Sequence, residues 1–189
     1  MLGGRFLETI RFLRKPHIAT LLPGRFEKKA DRTKKVEKIK IPYNQVESKV
    51  QILEIKKKAP QELKIEEADI IVAIGRGLKK KEDIKLIESL AYAIGGVVGC
   101  SRSIAADLKW LTEEHWVGLS GHKVKPKLYV AIGISGQAQH IAGIRDAKTI
   151  IAINNDPNAP IFKMCDYGFV GDLYEIVPKL IERLKELTK

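Results

Sequence analysis

From residue 66 onward, short runs that are apolar at nearly every position alternate with segments that are apolar at every third or fourth position. The runs are "ADIIVAI", "VVGC", "KLYVAI", "TIIAIN" and "YGFV". Between them, "KEDIKLIESLAYAIG" sets Ile84, Ile87, Leu90, Ala91 and Ile94 on one face of a helix closed by Gly95 and Gly96. "GQAQHIAGIRD" predicts a second helix. The third begins at Leu173 and carries Ile176, Val177, Leu180, Ile181, Leu184 and Leu187 at helical spacing. "HWVGLSG" reads as a shorter strand or an extended loop. A strand apolar on both faces must be covered on both faces, so strands alternating with helices predict an α/β fold. The expected architecture is a Rossmann-like parallel sheet with helices on both sides.

Residues 1–65 lack this rhythm. "FLETIRFLR" (6–14) has the spacing of a short helix, and "HIATLLPG" reads as a strand closed by a Pro-Gly turn. "VEKIKIPY" and "KVQILEIKKK" alternate as β segments do. Their apolar content is too small for a core of their own. Residues 1–65 are therefore expected to be a partial β-rich arm, the end of a truncated N-terminal domain, and 66–189 the main domain.

Ligands of open parallel sheets bind beyond the carboxyl ends of the strands. Six segments there carry small or hydrogen-bonding residues: Gly75-Arg76-Gly77, Ser101-Arg102, Gly118 to Gly121, Ser135-Gly136, Asn154 and Gly171-Asp172. Small residues let a ligand approach the backbone, Gly136 among them, and free N–H groups at a helix start hold phosphate. A long anionic ligand, a dinucleotide, fits such an edge. A Ser-His hydrolase is the rival reading of "GISGQAQHIAG" (133–143). It fails on spacing, because a nucleophile elbow needs G-x-S-x-G and Ser135 and His140 do not share a helix face.

The net charge of +11 raises the question of nucleic acid. Lysine dominates and no aromatic residues interleave with it, which suits solvated surface lysine better than base stacking. Cys100 and Cys165 form neither a C-x-x-C pair nor a metal motif, as expected of a reducing cytoplasm. No stretch approaches the roughly 18 apolar residues of a membrane span. "MLGGRFLETIRFLRK" has no continuous apolar region, so no secretory leader and no membrane insertion are expected.

The series "GRG", "CSRSIAAD", "VGLSG", "GISGQAQHIAG", "AINNDPNAPIF" and "DYGFVGDL" resembles the FAD-binding domain of the electron transfer flavoprotein alpha subunit, in order and spacing over residues 66–180. Upstream, "GGRFLETIRFLRKPHIATLLPGRFE" resembles the end of that subunit's N-terminal domain, as in a C-terminal fragment or a shortened form. The resemblance implies a deoxyhypusine-synthase-like FAD-binding fold, with Arg76 and Ser101 on the cofactor and Arg102 over the flavin ring. It assigns the loop Val117, Gly118, Leu119, Ser120 and Gly121 to the flavin and ribityl region. Here Leu119 and Ser120 replace the usual glutamine and threonine, and Cys165 replaces an alanine later in the series. Ser135, Gly136, Gln137, Ala138, Gln139 and His140 would hold pyrophosphate and ribityl groups, with His140 toward flavin O2. Asn154, Asp172 and Leu173 would complete the adenosine end. The implied function is electron carriage by FAD rather than catalysis on a substrate of its own. The implied partners are the beta subunit, acyl-CoA or other dehydrogenases, and a quinone oxidoreductase or ferredoxin-type acceptor. Bifurcation is among the roles of such flavins. An NAD- or nucleic-acid-binding domain without redox function is the alternative.

Overall fold

The computed structural model describes residues 9–20, 33, 37–42 and 64–187. The chain divides into two units, one containing Glu62–Lys189 and the other Ile10–Gln61.

In the first unit, five strands form one sheet: β1 (Ile70–Ile74), β2 (Val97–Cys100), β3 (Leu128–Ile132), β4 (Ile150–Asn154) and β5 (Tyr167–Val170). All pairings are parallel, and the order is β2-β1-β3-β4-β5. Three helices connect or follow them: α1 (Ile84–Ala93), α2 (Ala138–Ile144) and α3 (Leu173–Leu187). The expected strand or loop at "HWVGLSG" is an extended loop, which touches the sheet through a single bridge from Trp116 to Cys100. That bridge lies beyond β2, on the side away from β1. The chain thus runs outward from β1, returns, and starts outward again at β3. Connections leave β1 and β3 toward opposite faces, and the crevice between them is the topological switch point.

Strand alternation feeds two cores. Val72, Ile74, Val130, Ile132 and Ile153 pack beneath Ile87 and Leu90 of α1 and Val177 and Ile181 of α3. Ile71, Ala73, Tyr129, Ala131, Ile150 and Ala152 face the other way, beneath Ile144 of α2 and Ile161. Strands apolar on both faces are the sequence form of this arrangement. One strand departs from it. β5 is exposed along its length, with Tyr167 62% and Val170 59% accessible, because it is at the sheet's edge and none of the described residues of this unit covers it.

In the described part of the second unit, some expected local elements are absent. Residues 10–14 are not helical, and residues 17–20 and 37–42 are not strands. Leu13 and Ile41 are 85% and 84% exposed. A short amphipathic helix needs a surface to bury its apolar face, and a lone β segment needs a partner. Among the described residues neither is present around these segments. The remainder of these segments, and "KVQILEIKKK" altogether, lies outside the described residues.

Candidate functional site

At the carboxyl edge of the sheet lies a cleft of about 710 Å³, within the size range of small-molecule and cofactor sites. Loops after four strands supply its walls: Gly75–Gly77 after β1, Ser101–Ser103 after β2, Gly133–Gln137 after β3 and Asn154–Asp156 after β4. Trp116–Ser120 closes one side. Glycine sets the spacing at the switch point. The Gly75 N–H donates to the Ile132 carbonyl (3.0 Å), and a Cβ on Gly75 would lie 2.3 Å from the Gly133 oxygen. The two loops can meet only without that side chain.

The cleft is rich in unused donors. Among the described residues the backbone N–H groups of Ser135, Gly136 and Gln137 have no protein acceptor. Three successive free amides form a concavity suited to an anion. α2 itself is only seven residues long, so this loop, rather than a helix dipole, supplies most of that potential. Arg76 and Arg102 line the cleft, and neither guanidinium has an ion-pair or hydrogen-bond partner among the described residues. Asn154 braces the wall: its Nδ2 donates to the Ile134 carbonyl (2.9 Å), and its Oδ1 accepts from the Asp156 N–H (3.0 Å). The Leu119 N–H donates to the Gln139 carbonyl (2.7 Å), which fastens the Trp116–Ser120 loop to α2.

His140 is buried in the lining. Its Nε2 lies 2.9 Å from the hydroxyl of the fully buried Tyr129, and its Nδ1 has no hydrogen-bond partner. Burial pushes the imidazole down to about 4, against a smaller opposing pull from the nearby Val117 carbonyl, which makes no well-formed hydrogen bond to it. The ring is therefore neutral at physiological pH. An unpartnered buried nitrogen beside a cleft of this size fits a site that a ligand completes.

Of the residues expected from the sequence, the cleft brings together Arg76, Ser101, Arg102, Val117, Gly118, Leu119, Ser120, Ser135, Gly136, Gln137, Gln139, His140 and Asn154. Four are outside its lining. Gly121 packs on Trp116 at the far end of the loop, and Ala138 starts α2 facing solvent. Leu173, the first residue of α3, is buried in the core. Asp172 caps α3 through the Tyr174 N–H (2.8 Å) and adjoins the rim through Gly171, whose N–H meets the Asn154 carbonyl. Gly136 plays a different part from the one expected. Its φ is +83°, and a Cβ there would lie 2.4 Å from the Ile161 nitrogen, so the glycine makes room for the Pro160–Lys163 turn, not for a ligand. Sequence reasoning missed Ser103, Asp107, Trp116, Asn155 and Asp156. Only Asp156 left a trace, an acidic residue two positions past a strand end.

Residues 64–145 match the family described as the electron transfer flavoprotein FAD-binding domain. The chain is 44% identical to the electron transfer flavoprotein subunit alpha of Thermoanaerobacterium thermosaccharolyticum, over 98% of this chain and 57% of the relative. It is 42% identical to the subunit of the same name from Bacillus subtilis, over 90% and 52%. Residues 64–145 thus carry the electron transfer flavoprotein FAD-binding domain, and the chain is similar to alpha subunits over nearly all of its length. A third relative, Protein FixB of Clostridium saccharobutylicum, is 43% identical over 98% of this chain and 56% of its own length. The chain thus spans a little over half the length of the curated relatives it matches. Among the described residues no helix is long and apolar enough to cross a membrane, and no group of three His, Cys, Asp or Glu side chains could hold a metal ion.

Proposed function

We propose that this chain holds FAD in the cleft and serves as the FAD-binding part of an electron transfer flavoprotein alpha subunit in the cytoplasm. Its partner would be the beta subunit. Its electron donors would be acyl-CoA or other dehydrogenases, and its acceptor a quinone oxidoreductase or a ferredoxin-type protein. The observation that carries the reading is one cleft where, among the described residues, three successive amides, two guanidiniums and a histidine nitrogen have no partner.

The residues fit the group. The amides of Ser135, Gly136 and Gln137 would take the pyrophosphate, and Arg76 would add charge beside it. Asp156, held by the brace at Asn154, presents a carboxylate suited to the hydroxyl and amino donors of adenosine. Ser120, Leu119 and His140 would lie on the flavin and ribityl side. Bound there, FAD supplies one- and two-electron redox chemistry. Arg102 would stabilise the negative charge gained on reduction, and the neutral His140 would bond an acceptor on the ring without adding charge.

The test is the visible spectrum and flavin content of the chain, purified alone and after co-expression with a candidate beta subunit. About one FAD per chain in the complex is expected, with NAD failing to displace it. A colourless complex that binds no added FAD would overturn the reading.

A further inference from the structure

Tyr129 sits at the second position of β3, where strand alternation turns its side chain toward α2. Its hydroxyl meets His140 Nε2 at 2.9 Å, and among the described residues it has no other partner. The pair allows two proton arrangements. If Nε2 carried the hydrogen and donated to the phenol oxygen, the phenol's own proton would have no acceptor, inside a fully buried environment. A buried unsatisfied donor is costly. If the phenol donates to Nε2, that contact is satisfied and the imidazole hydrogen sits on Nδ1, which has no protein partner in either arrangement, so this one leaves a single unpartnered group where the other leaves two. Burial also keeps the phenol protonated, so the proton to be donated is always present.

We propose that Tyr129 is a positioning residue that locks His140 as its Nδ1–H tautomer, so that the cleft offers a neutral N–H donor to an acceptor oxygen of the bound ligand. The ligand half of this proposal rests on the flavin reading above. The tautomer half does not.

The experiment uses the full chain labelled with ¹⁵N-histidine and two-bond ¹H–¹⁵N correlation spectra, taken without ligand near neutral pH. His140→Gln identifies which of the histidine signals belong to His140. The expected result is one dominant neutral tautomer with the hydrogen on Nδ1. Tyr129→Phe keeps the ring and removes the donor. It should lower the Nδ1–H to Nε2–H ratio roughly tenfold and weaken FAD binding roughly five- to tenfold. A wild-type His140 protonated on Nε2 overturns the proposal, and this reading needs no variant to fold. An unchanged tautomer ratio in a folded Tyr129→Phe chain overturns it too. A wild-type chain with Nδ1–H but no affinity for FAD, alone or with a beta subunit, overturns the flavin reading and the ligand half, and leaves the tautomer assignment standing.

Discussion

The two faces of the sheet differ more than their sequences do. Both draw on the same strands, residue by residue in alternation. One face lies under α1 and α3, helices of 10 and 15 residues whose apolar stripes form a continuous wall. The other lies under a seven-residue helix, a single turn at Pro160–Lys163 and the Trp116–Ser120 loop. Both side chains classed as buried and polar among the described residues, His140 and Asn154, are on this second face. Long helices satisfy their own backbone and need only apolar neighbours. Short helices and loops leave amides free and polar side chains half-satisfied, and those groups are what a ligand can use. Stability and binding are thus assigned to opposite sides of one sheet.

The comparison breaks most visibly by emptying the helical face. Ile87→Ala removes a fully buried side chain of α1 and should cost about 3 kcal/mol, lowering Tm by about 6–12 °C. FAD affinity should change less than twofold, and a parallel loss of affinity in an equilibrium titration would show that the two faces are not independent. Acid attacks the other face. His140 is held near 4, below its ordinary 6.5, so the unfolded chain binds its proton first as pH falls. Stability is full above about pH 6.5 and is lost progressively toward pH 4, by about 3 kcal/mol for this group. Urea unfolding of wild type and His140→Gln across that range isolates the effect, which should flatten in the variant.

A smaller change sharpens the contrast. Gly136→Val forces a β-branched side chain into positive φ and against the Ile161 backbone, at about 2 kcal/mol. The Pro160–Lys163 turn must shift, and FAD affinity should fall more than tenfold while the sheet persists by circular dichroism. Wild-type affinity in this variant would remove the 135–137 loop from the site. The smallest effect on stability belongs to Arg102→Ala, whose side chain is exposed and has no partner among the described residues: under about 0.5 kcal/mol. Its signature is the flavin reduction potential, which should drop by roughly 40–130 mV, since a partly solvated charge beside the ring contributes about 1–3 kcal/mol. Arg102→Lys should recover part of the drop. An unchanged potential with FAD bound would remove Arg102 from the flavin side.

The sequence by itself determined the layers. Runs such as "ADIIVAI" cannot be stable with either face wet, and the stripe from Leu173 to Ile181 can only be a helix lying on them, so α/β architecture followed from local pattern alone. The edge that carries the cleft was legible for the same reason, because parallel strands all present their carboxyl ends to one side. What local pattern could not decide is which groups meet across layers. "FLETIRFLR" and "VEKIKIPY" have acceptable periodicity, yet residues 10–14 and 37–42 form neither helix nor strand, since periodicity names a face and not the surface that would cover it. The direction of the missing Cβ at Gly136, the entry of Trp116, Asp107 and Asp156 into the lining, and the exclusion of Leu173 depend on how loops from different strands converge. Tyr129 and His140 show the limit most clearly. They are 11 residues apart on a strand and a helix, and only the packing of α2 over β3 brings a phenol to an imidazole. Side-chain period is a property of one segment, whereas a hydrogen bond between layers is set by sheet order and helix placement together.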